Sequence, residues 1–147
     1  MTKRAEKGQS LVEFALVLPV LIVLLMGLFD FGRAILAYNT VSEAARNGAR
    51  VAIVNQIPGD ICSVAASRAV AISLPATCAA NATAVGIYVT SAGSPCEVNV
   101  CTQTVKATYQ FTALTPIISR IIGPITMSSS STVTVESVCT SGTCPQT

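Results

Sequence analysis

The chain has 147 residues, of which 51% are hydrophobic and 11% charged; the net charge is +2 and histidine is absent. Without an imidazole, Ser-His-Asp and Cys-His catalysis are excluded, and no basic stripe or Trp marks a nucleic-acid surface. The composition is also too apolar for an ordinary soluble surface, so part of the apolar length is expected to meet lipid or other subunits.

The opening segment decides the class. Leu11 to Phe29 is an apolar run of 19 residues, close to the roughly 20 that cross a bilayer core. Lys3, Arg4 and Lys7 precede it against one acid, Glu6, whereas Asp30 and Arg33 cancel behind it. The positive-inside bias therefore places the N-terminus in the cytoplasm and the rest of the chain outside. A cleaved secretory signal fits less well. Its apolar core is normally about 7–15 residues and ends at a small-x-small site. The one candidate here, Gly32-Arg33-Ala34, lies beyond charged Asp30.

Helical periodicity continues past the run. Phe31, Ile35, Tyr38, Val41, Ala45, Ala49 and Ala52 recur at three- and four-residue steps, with Glu43, Arg46, Asn47 and Arg50 opposite. The spacing predicts one helix from about Ser10 to Asn55, roughly 70 Å long, with Pro19 bending it. After the turn at Ile57–Asp60, Asp60 is read as N-cap of a second helix carrying Ile61, Val64, Ala65, Ala69 and Ile72, stopped by Pro75.

The period then changes to two. Val85, Ile87 and Val89 share one side of a first strand, and Val105, Ala107, Tyr109 and Phe111 one side of a second. Ile125, Met127, Val133 and Val135 do so in a third. Three antiparallel strands, each with one buried face, follow. Between the last two lies a short helix in which Thr115 caps, Pro116 takes the first turn and Gly123 ends it. The amphipathic half of the long helix and the apolar face of the sheet need each other. The expected class is α+β: a long N-terminal helix, half membrane-spanning and half amphipathic, packed on a small antiparallel sheet with one or two short helices. The Ser/Thr-rich tail after Cys139 is expected to be loosely held, and the sequon at Asn81 is too short to carry weight.

Chemistry is sparse. Asp30, Glu43, Asp60, Glu97 and Glu136 form no clustered pair, and no nucleophile has a visible base. No phosphate loop, cofactor motif or catalytic residue emerges, and the expectation is a non-enzyme. Cys62, Cys78, Cys96, Cys101, Cys139 and Cys144 all follow the apolar run, where an even number favours three disulfides over a four-thiolate zinc site. Neighbouring cysteines close the shortest loops, which gives Cys62–Cys78, Cys96–Cys101 and Cys139–Cys144 as the expected pairs.

Glu13 is the anomaly. A carboxylate within a membrane helix costs about 2.5–3.5 kcal/mol at the centre and less near an end. One account is a capping box, Ser10-Leu11-Val12-Glu13, with Ser10 as N-cap. The other begins at Gly8: basic residues, a glycine, then an apolar helix with Glu at the fifth position is the pattern of type IV-like prepilins.

Gly8, Glu13, Phe14, Ala15 and Pro19, then "FGRA" at 31–34 and "EAARNGAR" at 43–50, resemble the N-terminal region of TadE-like proteins, pseudopilins of the Tad (tight adherence) pilus system. Gln9 stands where type IV pilins usually carry an aromatic. The resemblance implies a pilin-like fold and a leader at 1–8, cut after Gly8 by an inner-membrane prepilin peptidase so that the mature chain starts at Gln9. It further implies a transmembrane helix at 9–30 and an extracytoplasmic domain at 31–147. Glu13 would then dock subunits by neutralising the new N-terminal ammonium. The implied partners are the peptidase, other pilin subunits, the inner-membrane assembly machinery and membrane lipid. The implied course runs from the inner membrane to an extracellular filament that serves adhesion. An outer domain larger than a minimal subunit needs points to a minor pilin. The competing expectation is an uncleaved, single-pass protein whose outer domain binds a ligand or surface.

Overall fold

The computed structural model describes residues 3–92 and 101–138. Cys96, Cys139, Cys144 and the tail lie outside the described residues. The elements run α1 (Lys3–Ala52), α2 (Pro58–Arg68), β1 (Gly86–Ala92), β2 (Thr102–Phe111), α3 (Pro116–Ile122) and β3 (Ile125–Thr134). The class is α+β, a long N-terminal helix with a small sheet and short helices, as the periodicities predict.

α1 has 50 residues, about 75 Å at 1.5 Å per residue. Its first half stands free: every side chain from Leu11 to Met26 is exposed. Its second half is buried by small side chains, with Val41, Ala44, Ala45, Ala49 and Ala52 in the core. The buried stripe differs from the expected one at its start. Phe31, Ile35 and Tyr38 are exposed, because the covered face of α1 in this stretch is centred on Asp30 and Ala37 instead. Glu43, Arg46 and Arg50 face outward as predicted.

Gly48 marks the closest approach. A Cβ there would meet Val105 Cγ1 at 2.9 Å and Ala65 Cβ at 3.0 Å, so α1, α2 and β2 converge on a position with no room for a methyl group.

The sheet is a three-stranded antiparallel meander in the order β1-β2-β3. Central β2 pairs Ala107 with Ile87 on one side and Ser129 on the other. Ile87, Val105 and Ala107 enter the core, and Val89, Tyr109 and Val133 pack against it. Period two is thus obeyed, but Val85 lies before β1 and Ile125 at the edge, and both are exposed. The other face is hydroxyl-rich, with Thr104 and Thr132 oxygens 2.8 Å apart across strands.

α2 ends at Arg68, short of Pro75, and Ile57 rather than Asp60 is its N-cap residue. The turn is organised instead by buried Asn55, which donates to Asp60 Oδ2 at 2.9 Å and accepts the Ile57 N–H at 2.9 Å. The end of the β3 segment closes the same corner. The Glu136 and Ser137 N–H groups donate to the Ile53 carbonyl at 3.1 and 3.3 Å, and Gln56 Nε2 donates to the Ser137 carbonyl at 3.1 Å. A disulfide joins Cys62 and Cys78 with Cα atoms 5.3 Å apart. Cys101 is buried and disulfide-bonded as well; the other two expected pairs each involve a cysteine outside the described residues.

Candidate functional site

Two regions of α1 carry the polar groups that need explaining. The first surrounds Glu13. Gly8, Gln9 and Glu13 are all exposed on α1, and with Val12 and Leu16 they border one shallow surface. Because α1 starts at Lys3, Ser10 lies inside the helix rather than at its N-cap. A capping box needs a helix start to cap, so that account of Glu13 fails for the intact chain. The carboxylate stands on an unpartnered apolar helix.

The second region lies where the apolar run ends. Asp30 Oδ1 accepts the Leu114 N–H and Oδ2 the Thr115 N–H, both at 3.0 Å. Arg33 Nη1 adds a contact to Oδ1 at 3.4 Å, and the Arg33 guanidinium lies 5.8 Å from the Phe111 ring centroid. Thr115 holds the N-cap position of α3 but makes no side-chain cap bond, with Pro116 next. The segment entering α3 is instead held by an aspartate 85 residues before Thr115, which accepts the N–H groups of Leu114 and Thr115. Gly123 ends α3 at φ 69°, a left-handed conformation that glycine adopts freely.

In the sequence Asp30 reads as a charge balancing Arg33 and as one of five acids that form no clustered pair. No local signal could pair it with Thr115. The one hint was an acid placed directly at the end of an apolar run.

Among the described residues, no three His, Cys, Asp or Glu side chains come together to hold a metal. α1 is long and apolar enough to cross a membrane from within Gly8–Ala52, and Asp30 fastens its middle to a small α+β domain.

A free apolar helix that continues into the core of its own small domain is consistent with a membrane anchor. Residues 8–50 match the family model described as TadE-like protein. The match covers the free helix, Glu13, Asp30 and the buried stripe through Ala49. No curated protein matches the chain, and no solved structure does.

Proposed function

We propose that this protein is a pilin-like subunit of a Tad-type pilus. It is a minor pilin or pseudopilin, processed after Gly8 and assembled into, or priming, a surface filament for adhesion. The observation that carries the reading is the match over residues 8–50, which includes both the processing residues Gly8 and Gln9 and the anomalous Glu13. Proteins of that family are structural rather than enzymes.

The mechanism follows from charge. α1 inserts with its N-terminus in the cytoplasm, so residues 1–8 meet a prepilin peptidase at the inner face of the membrane. Cleavage creates an ammonium at Gln9, one turn before Glu13. In hydrocarbon each charge is expensive alone, and pairing offsets much of the desolvation of both. A subunit whose Glu13 meets the terminus of a neighbour is thereby drawn into register. The exposed apolar side chains from Leu11 to Met26 then exchange lipid for other subunits.

Intact mass and N-terminal sequencing of the membrane-associated protein, expressed with and without a prepilin peptidase, test the reading. The expected product begins at Gln9 only when the peptidase is present. A chain that keeps Lys3–Gly8 in the presence of an active peptidase overturns it and leaves an anchored, single-pass binding protein.

A further inference from the structure

α3 is held at a telling height. A Cβ on Gly27 would lie 3.9 Å from Ile118 Cδ1, and Met26 and Phe29 share a groove with Leu114 and Pro116. Both contacts fall in the last turn of the apolar run. Nineteen residues of helix rise about 28 Å, nearly the thickness of a hydrocarbon core of about 30 Å. A span that seats Leu11–Phe29 in lipid therefore brings α3 down to the outer edge of the acyl region.

The exposed side of this segment is apolar. Leu114 and Ile121 are each 78% exposed and Ile122 60%. Single exposed apolar residues need no explanation, but Leu114 shares a groove with exposed Phe29 and Ile122 shares one with exposed Phe31, so that with neighbouring Ile121 they continue the apolar surface of α1. The charges are arranged to match. The Asp30 oxygens are turned onto the Leu114 and Thr115 amides; half-exposed Arg33, with a long 3.4 Å contact to Asp30, lines the groove with Leu114, and exposed Arg120 directly precedes Ile121.

We propose that α3 and its lead-in form an interfacial lipid-binding element. Leu114, Ile121 and Ile122 rest in the outer leaflet of the bilayer that holds α1, and Arg33 and Arg120 meet lipid phosphates. This deepens the membrane-anchor reading of α1 and rests on it. Apolar side chains lying at the headgroup boundary beside basic ones bind a membrane surface by buried area and charge together. Lipid is the occupant that the geometry favours, because the patch is continuous with the lipid-facing run and lies at the same level. The element would fix the height of the domain on the membrane, and a subunit leaving for a filament would have to peel it away.

The chain has no Trp, so a single introduced indole reports one site. Ile121→Trp, Leu114→Trp, Leu21→Trp and Thr90→Trp would each be made in the full chain. Each would be reconstituted in phosphatidylcholine–phosphatidylglycerol vesicles whose acyl chains are brominated either near the headgroup or near the chain end. Trp at 121 and 114 should emit to the blue of Trp at 90 and lose intensity mainly to the shallow bromines. Trp at 21 should be quenched mainly by the deep ones. Quenching at 21 with water-like emission at both 121 and 114 overturns the proposal and leaves the anchor standing. Blue-shifted emission at 121 and 114 without quenching means that a second protein copy covers the patch, and also overturns it. Absence of quenching at 21 removes the anchor reading and this inference with it.

Discussion

Asp30 of α1 and Thr115, at the start of α3, are joined by a hydrogen bond of 3.0 Å from the Thr115 N–H to the Asp30 carboxylate. The other carboxylate oxygen takes the Leu114 N–H at the same distance. The two backbone donors that lead into α3 are thus satisfied by a charge on another element.

Asp30→Asn should release α3. An amide oxygen accepts one of these N–H groups, but its NH2 opposes the other. Hydrogen bonds to charged groups are worth about 1.5–3 kcal/mol, and a loss of that size is expected for the full chain in detergent. Hydrogen exchange at the Leu114 and Thr115 amides should rise well above that of the β2 amides. Arg33→Ala should change stability by less than about 1 kcal/mol, since its contact is long and half exposed. Unchanged exchange at both amides in Asp30→Asn would show that the carboxylate is dispensable.

The packing of α1 gives a second expectation. Gly48→Ala puts a methyl group where Val105 and Ala65 already stand, and Ala45→Leu and Ala49→Leu add bulk to fully buried positions. Overpacking of this kind destabilises by about 1–3 kcal/mol. Arg46→Ala, on the exposed face, should be near neutral. Thermal unfolding followed by circular dichroism separates the two groups. A melting temperature lowered as much by Arg46→Ala as by Gly48→Ala would mean that the domain does not pack on that face.

The disulfide gives a third. Cys62 and Cys78 are separated by 16 residues, a loop for which closure entropy suggests about 3 kcal/mol. The double replacement Cys62→Ala with Cys78→Ala should lower the denaturation midpoint, and mild reduction of the native chain should do the same. The bond fastens α2 to the segment before β1, where the Ala79 N–H donates to the Ile87 carbonyl at 2.7 Å. Proteolysis should therefore begin between residues 69 and 85 once the bond is gone. A midpoint indifferent to reduction would make the bond structurally idle.

Much of this fold was legible because two periods are set by backbone geometry. Alternation in Val105, Ala107 and Tyr109 finds β2, and the three- and four-residue steps of Val41, Ala45, Ala49 and Ala52 find the buried half of α1. The same helical stripe runs on through Phe31, Ile35 and Tyr38, yet these are exposed. Periodicity tells which side of a helix is apolar, not which strip of that side its partner covers. Caps were less legible. Asp60 and Thr115 have the right residue types at helix starts, but Asn55, two residues before Ile57, organises one turn, and Asp30 holds the residues that lead into the other helix. Asp30 reaches that position only through the tertiary fold. Gly48 went unread for a related reason, since a glycine within a helix reveals its use only when the neighbour it admits is known.

Glu13 carries the last prediction. Helix α1 extends through Ser10 from Lys3, so in the uncut chain Glu13 has no helix start to cap. After cleavage it would lie one turn from a free ammonium. Glu13→Gln keeps the length and the accepting oxygen but removes the charge, and Gln also serves in a capping box. If charge pairing recruits subunits, the variant should insert, be cut after Gly8 and accumulate in the membrane. Its recovery in sheared filaments should then fall by tenfold or more, the equivalent of about 1.4 kcal/mol. Bulky replacements of Gly8 should act one step earlier and leave uncut precursor, which distinguishes a processing defect from a docking defect by mass alone. Glu13→Asp, which retains the charge on a shorter arm, should recover part of the filament yield. Full recovery of Glu13→Gln in purified filaments would overturn the pairing mechanism, because a neutral amide cannot neutralise an ammonium in hydrocarbon.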